Sequence, residues 1–172
     1  MLTSETPERG IAYRAGGLAL FIAAGVILTA LAFEHLGRYA PCPLCLMQRY
    51  AYYAAIPLLF VAMALVSEMP RVAALLFFVV ALAFLGNAGL GVYHAGAEWK
   101  FWPGPDTCGT AQTLPTSAAD LLSGLQQTHV VRCDEAAWTF AGLSMAGWNV
   151  VASLIIFALA GKAALQSASA RD

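Results

Sequence analysis

Charge is scarce in this chain, and lysine scarcer still: it occurs only at Lys100 and Lys162. No run of Lys or Arg is present, which excludes the basic stripe that a nucleic-acid partner needs. Charged residues make up 11% of the 172 and hydrophobic ones 60%, against about 25% and about 45–50% in soluble domains. That shortage excludes an ordinary water-soluble globule and leaves a membrane protein. Cysteine is limited to Cys42, Cys45, Cys108 and Cys133. The position after Cys45 holds Leu46 rather than His, so the Cys-x-x-Cys-His of haem attachment is excluded. Internal repeats are also lacking.

What is present is a set of four long apolar runs. Ala15–Phe33 holds nineteen uncharged residues, too long for the roughly 7–15 of a signal core, and reads as a retained first span. At 1.5 Å per residue it covers about 28 Å, close to the hydrocarbon thickness of a bilayer. Further spans are expected over 44–66, with Pro57 as a kink, and over 72–93 and 142–161. The whole chain, 1–172, is thus expected to be one transmembrane domain, an all-α bundle of four helices. Its long loop, 94–141, is Pro- and Gly-rich near Trp102-Pro103-Gly104-Pro105. Within that loop Ser117 and Asp120 form a capping pattern, and Leu121, Leu122 and Leu125 share a face, so a short amphipathic helix over 116–127 is expected at the membrane surface.

Four spans put both termini on one side. Five basic residues (Arg9, Arg14, Arg71, Lys162, Arg171) then fall on the terminal side and four on the loop side, a slight bias toward positive-inside. All four cysteines fall on the loop side, which should therefore be the oxidising one. Tyr39, Tyr93, Trp99, Trp102, Trp138 and Trp148 fit an interfacial belt there.

Pro41-Cys42-Pro43-Leu44-Cys45 with Arg49 carries the chemistry. Thiols at i and i+3 can close a disulfide, and a helix N-terminus with a cation nearby favours thiolate. Arg49 follows Cys45 by four residues, on the same helical face. A zinc site over the cysteines, or three of them plus His94, lacks the usual ligand spacing, with twenty-four residues between Cys108 and Cys133. No metal is expected. Cys108 and Cys133 suit either a structural staple or, facing a second pair, a two-electron relay by thiol–disulfide exchange. Arg49 is either a snorkelling anchor or the holder of an anionic thiolate and a reduced cofactor. His94 is an ordinary interfacial residue or a site residue, and Asn87 and Asn149 suit interhelical hydrogen bonds.

In order and spacing, these segments resemble the DsbB family, the bacterial inner-membrane disulfide bond formation protein B. The resemblance rests on Pro41-Cys42-Pro43-Leu44-Cys45 with Arg49, on Tyr93-His94 followed by Trp102-Pro103-Gly104-Pro105 and Cys108, and on Cys133-Asp134-Glu135 leading to Trp138 and Gly142-Leu143-Ser144-Met145. It implies a quinone-dependent thiol oxidoreductase that reoxidises a periplasmic DsbA-like thiol oxidase and passes electrons to ubiquinone or menaquinone. Catalytic roles carry over to Cys42, Cys45, Cys108 and Cys133. Cys108 would be the point of partner attack with Cys133 its disulfide mate, and Cys45 the thiol facing quinone. Arg49, His94 and Met145 match quinone-side positions. The termini would be cytoplasmic and the cysteines and long loop periplasmic. The vitamin K epoxide reductase family also couples four cysteines to quinone, but there the loop pair precedes the Cys-x-x-Cys, and here it follows. A reading from another class, a non-catalytic membrane protein with structural disulfides or a metal site, does not require Arg49 beside Cys45.

Overall fold

The computed structural model describes residues 7–105 and 133–170. Four helices organise them: α1 (Pro7–His35), α2 (Pro43–Leu65), α3 (Pro70–Glu98) and α4 (Met145–Ser169). All four are long and apolar enough to cross a membrane. Proline opens three of them, at Pro7, Pro43 and Pro70, where its missing N–H costs nothing and its fixed φ suits the first turn. α2 runs unbroken through Pro57. The helices pack in a ring, α1 on α2, α2 on α3, α3 on α4 and α4 back on α1.

The core of this ring is built from small residues. On α1 the buried positions Ala12, Ala15, Gly16, Ala19, Ala23 and Ile27 recur every three or four residues, a seam that lets neighbouring backbones come close. Into it from α3 fits Phe77, fully buried; a Cβ on Gly16 would stand 2.8 Å from its ring. On the outside the large apolar residues face away, Phe60 being 67% exposed and Leu165 70%. Such an inside-out distribution fits lipid as the solvent. Polar links cross the interior: Tyr52 Oη donates to Asn149 Oδ1 (2.6 Å) and Asn87 Nδ2 to Ser153 Oγ (3.0 Å).

The helices extend past the apolar runs that announce them. α3 continues five residues beyond Tyr93 to Glu98, so His94 and Glu98 lie on a helix and not in a loop. Hydropathy marks where hydrocarbon ends, whereas a helix continues as long as its backbone groups stay paired. α3 stops in a Schellman turn: Lys100 takes a positive φ of 62°, its N–H reaching Ala97 O (3.1 Å) and that of Phe101 reaching Gly96 O (2.9 Å). Ahead of α4 stands a small hairpin, β1 (Thr139–Phe140) and β2 (Leu143–Ser144), paired antiparallel. Its two turn residues, Ala141 and Gly142, both have positive φ (51° and 81°), the geometry that matches strand twist in a two-residue turn. The surface helix expected over 116–127 and Cys108 lie outside the described residues.

The Gly16 seam can be tested. Gly16→Ala must displace the buried Phe77 ring and is expected to destabilise the bundle by about 1–3 kcal/mol. Gly25→Ala on the same helix meets nothing within 4 Å and should be neutral or stabilising. Thermal unfolding in detergent micelles checks both; equal melting temperatures would remove Gly16 as a packing constraint.

Candidate active site

One end of the bundle gathers the chemistry. Cys42 is the N-cap of α2, its Sγ accepting the Cys45 N–H at 3.1 Å. This sulfur therefore does what a Ser or Asp oxygen does at other helix starts, and it sits in the positive field of the helix N-terminus. Cys42 and Cys45 are both free thiols, their sulfur atoms within 4.8 Å of each other. Closing them into a disulfide needs an S–S distance of about 2.05 Å, so they stand as the open form of a pair. Just outside α2, the Cys42 thiol is pushed above its ordinary range, first by sharing a hydrogen bond with Cys45 and then by burial.

Cys133 is fully buried and packs with Cys42 and Leu44 in one small cluster, with Cys45 and Leu90 at its edge. It is disulfide-bonded. Cys133 is thus buried in the same cluster as the dithiol at the start of α2, although α3 and a long loop come between Cys45 and Cys133 in the chain. Outside the cluster, Lys100 Nζ holds Asp134 Oδ2 at 2.6 Å, tying the end of α3 to the segment that follows Cys133.

His94 is buried beside Cys42, its Nε2 3.6 Å from Sγ. Its other ring nitrogen, Nδ1, is 3.2 Å from Gln48 Nε2, and Nε2 is also 3.8 Å from Glu98 Oε1. Glu98 in turn accepts from Ser144 Oγ, whose oxygen also caps α4 by accepting Gly147 N–H at 3.2 Å. The chain Cys42–His94–Glu98–Ser144 therefore links the starts of α2 and α4 through the end of α3.

Arg49 is not the bare cation the sequence suggests. Its Nη1 forms an ion pair with Glu34 on α1, and Nη2 reaches Ala30 O at 3.5 Å. The guanidinium keeps its place but its charge is partly offset. Both Arg49 and Cys45 line a cavity of about 620 Å³, together with Cys42, His94 and Met145. Most of its remaining wall is apolar, including Ile22 and Val26 on α1 and Ala152 on α4, with Gln48, Tyr52, Glu98, Glu135 and Asn149 as further polar members. Aromatic rings frame its mouth: Phe33 against Trp138 (centroids 5.2 Å apart), Trp138 stacked on Phe140 (5.8 Å), and Trp148 donating Nε1–H to Phe140 O at 3.0 Å.

Of the site residues expected from sequence, Cys42, Cys45, Arg49, His94 and Met145 line this one cavity. Cys133 lies in the cysteine cluster beside it, and Cys108 is outside the described residues. Sequence reasoning missed Glu34, Gln48 and Glu98. Two of them carried a usable signal, since a single carboxylate at the end of an apolar helix is costly unless it has a partner.

Comparison with known proteins agrees with this architecture. The family model described as disulfide bond formation protein DsbB matches residues 13–163. A relative from Marinobacter nauticus named disulfide bond formation protein B is 31% identical over 160 residues, 91% of this chain and 94% of its own length. One of the same name from Herminiimonas arsenicoxydans is 35% identical over 133 residues, 76% and 81% of the two chains. Another from Aromatoleum aromaticum is 30% identical over 152 residues, 83% and 87%. No solved structure matches. With most of its length matched by the family model and by relatives of nearly its own size, the chain belongs to the DsbB family of disulfide bond formation proteins.

Proposed function

We propose that the chain is a thiol:quinone oxidoreductase, one transmembrane domain that reoxidises a DsbA-like dithiol oxidase and delivers the electrons to a membrane quinone. The observation that carries this reading is the burial of the disulfide-bonded Cys133 in one small cluster with the free thiol Cys42, beside a mostly apolar cavity lined by both Cys42 and Cys45. A structural staple has no need of a second, open cysteine pair against it. On this reading the membrane is the bacterial inner membrane, with both termini cytoplasmic and the cysteines periplasmic.

The chemistry is two successive exchanges. A thiolate of the partner attacks Cys108, breaking its bond to Cys133, and the partner's second thiol releases the partner as a disulfide. Two electrons now reside on Cys108 and Cys133 as thiols. Cys133, in the same buried cluster as Cys42, attacks it when Cys42 and Cys45 are joined, and Cys108 then closes back on Cys133 with Cys42 as the leaving thiolate. The electrons finish on the Cys42–Cys45 dithiol, the form described above.

A bound quinone, ubiquinone or menaquinone, would supply the two-electron acceptor. The residues present fit such a group: Cys45, Arg49 and His94 would hold its polar ring, and Phe21, Ile22 and Val26 its apolar tail. Arg49 offers a fixed donor fork where negative charge develops, worth most where water is excluded. Glu34 holds that fork in position, and Met145 closes the wall. His94, donor or acceptor according to tautomer, can carry a proton at Nε2 beside Cys42.

Two measurements follow. Cys133→Ser should leave Cys108 unable to resolve internally and trap a mixed disulfide with the partner; an adduct mapping instead to Cys42 or Cys45 would reverse the order of exchange. Arg49→Gln is expected to lower quinone reduction about a hundredfold with a raised quinone requirement, and Arg49→His to lower it less. Glu34→Gln, which keeps the cation but loses its ion pair, should chiefly raise the quinone requirement. Rates against quinone concentration, at matched protein level, check the series. Normal turnover of Arg49→Gln at every concentration would reduce Arg49 to a membrane anchor.

A further inference from the structure

The same corner of the bundle holds a second capability that electron transfer does not use. We propose that the reduced chain binds one thiophilic divalent cation, of the zinc or cadmium class, through Cys42, Cys45 and His94. The Sγ atoms of both cysteines and a ring nitrogen of His94 lie within 4.8 Å of one another. Donors around a tetrahedral zinc stand roughly 3.3–3.8 Å apart, given bonds of about 2.3 Å to sulfur and about 2.0–2.1 Å to nitrogen. Side-chain adjustment of about an ångström would therefore close the site. Glu98 Oε1 lies 3.8 Å from His94 Nε2, outside the three-donor group, where it can steady the imidazole.

The surroundings favour an ion there. Cys42 at the start of α2 and His94 near the end of α3 are both buried and 3.6 Å apart, so little ordering remains to be done for these two donors. Gln48 sits on the far side of the imidazole, and its carboxamide, turned to present oxygen, would accept Nδ1–H and leave Nε2 free to ligate. Two thiolates alone would place two negative charges in a dry corner, whereas a dication neutralises both.

The binding step is balanced without an oxidant. Two S–H bonds are broken and two metal–sulfur bonds form, two protons leave, and no electron moves. It requires free thiols, so the Cys42–Cys45 disulfide cannot take part. The cation would thus lock the chain in its reduced form and block electron exit, making such metals inhibitors selective for one redox state. Inhibition rests on the proposed electron transfer, whereas the binding itself does not and is read directly.

The test uses the full-length chain without a histidine tag, in detergent micelles, with Cys108→Ser and Cys133→Ser so that only one cysteine pair remains. Cadmium chloride is the probe. After reduction with a phosphine and desalting, equilibrium dialysis should find one cadmium per chain, with a sulfur-to-cadmium charge-transfer band in the ultraviolet. Oxidising Cys42 and Cys45 to the disulfide, in the same preparation, should lower binding at least tenfold; this arm needs no further substitution and so no assumption about folding. Adding Cys42→Ser or Cys45→Ser should weaken binding at least about a hundredfold, and His94→Gln at least about tenfold. Absence of binding to the dithiol form, or equal binding to the disulfide form, would overturn the proposal. Unchanged affinity in His94→Gln would overturn the assignment of His94 as a ligand.

Discussion

The arrangement depends on one contact, the Cys42 sulfur accepting the Cys45 amide at the start of α2. Pro41 and Pro43 flank Cys42, and the ring of Pro43 at the first helical position fixes where the helix begins. With the start fixed, Cys42 must cap and Cys45 must lie one turn in. Cys42 is then 3% exposed and Cys133 not at all, the two in one cluster. A thiol in the field of a helix N-terminus, sharing a buried cluster with a disulfide-bonded cysteine, is placed where exchange between the two pairs can occur. Either cysteine pair alone would be no more than a local crosslink.

Around that contact the bundle resolves a conflict between solvent and chemistry. Its helices are apolar enough to span a membrane, yet the site needs ionisable groups. Glu34 is paired with Arg49, and Glu98 with Ser144 and His94. Pairing lowers the cost of keeping these groups at the edge of hydrocarbon. The small-residue seam of α1 and α4 supplies the other half of the solution. It brings the helices close over most of their length, and the large cavity lies toward the cysteine end.

Much of this was legible in the sequence. Four apolar runs mark four helices, and the Pro-Cys-Pro pattern marks the start of α2. Asn87 and Asn149, expected as interhelical links, do bond Ser153 and Tyr52. The helix ends were less legible, because Glu98 and the first residues of α1 are polar while their backbones still pair within the helix. The hairpin at Thr139–Ser144 is too short to show an alternating pattern. The partner of Arg49 was hidden for a different reason: Glu34 belongs to another helix, and spacing along one helix says nothing about its neighbour. The clustering of Cys133 with Cys42 and Leu44 is likewise tertiary and leaves no local trace.

The claim that most of the account rests on is that electrons can cross between Cys133 and Cys42 within one chain. Replacing Cys45 and Cys108 together by Ser leaves those two as the only thiols. Mild oxidation of this variant in micelles, followed by alkylation and peptide mapping, reads the outcome directly. The packing predicts an intramolecular Cys42–Cys133 disulfide in most chains at any dilution. Two free thiols after oxidation, or crosslinks only between chains and only at high concentration, would contradict it.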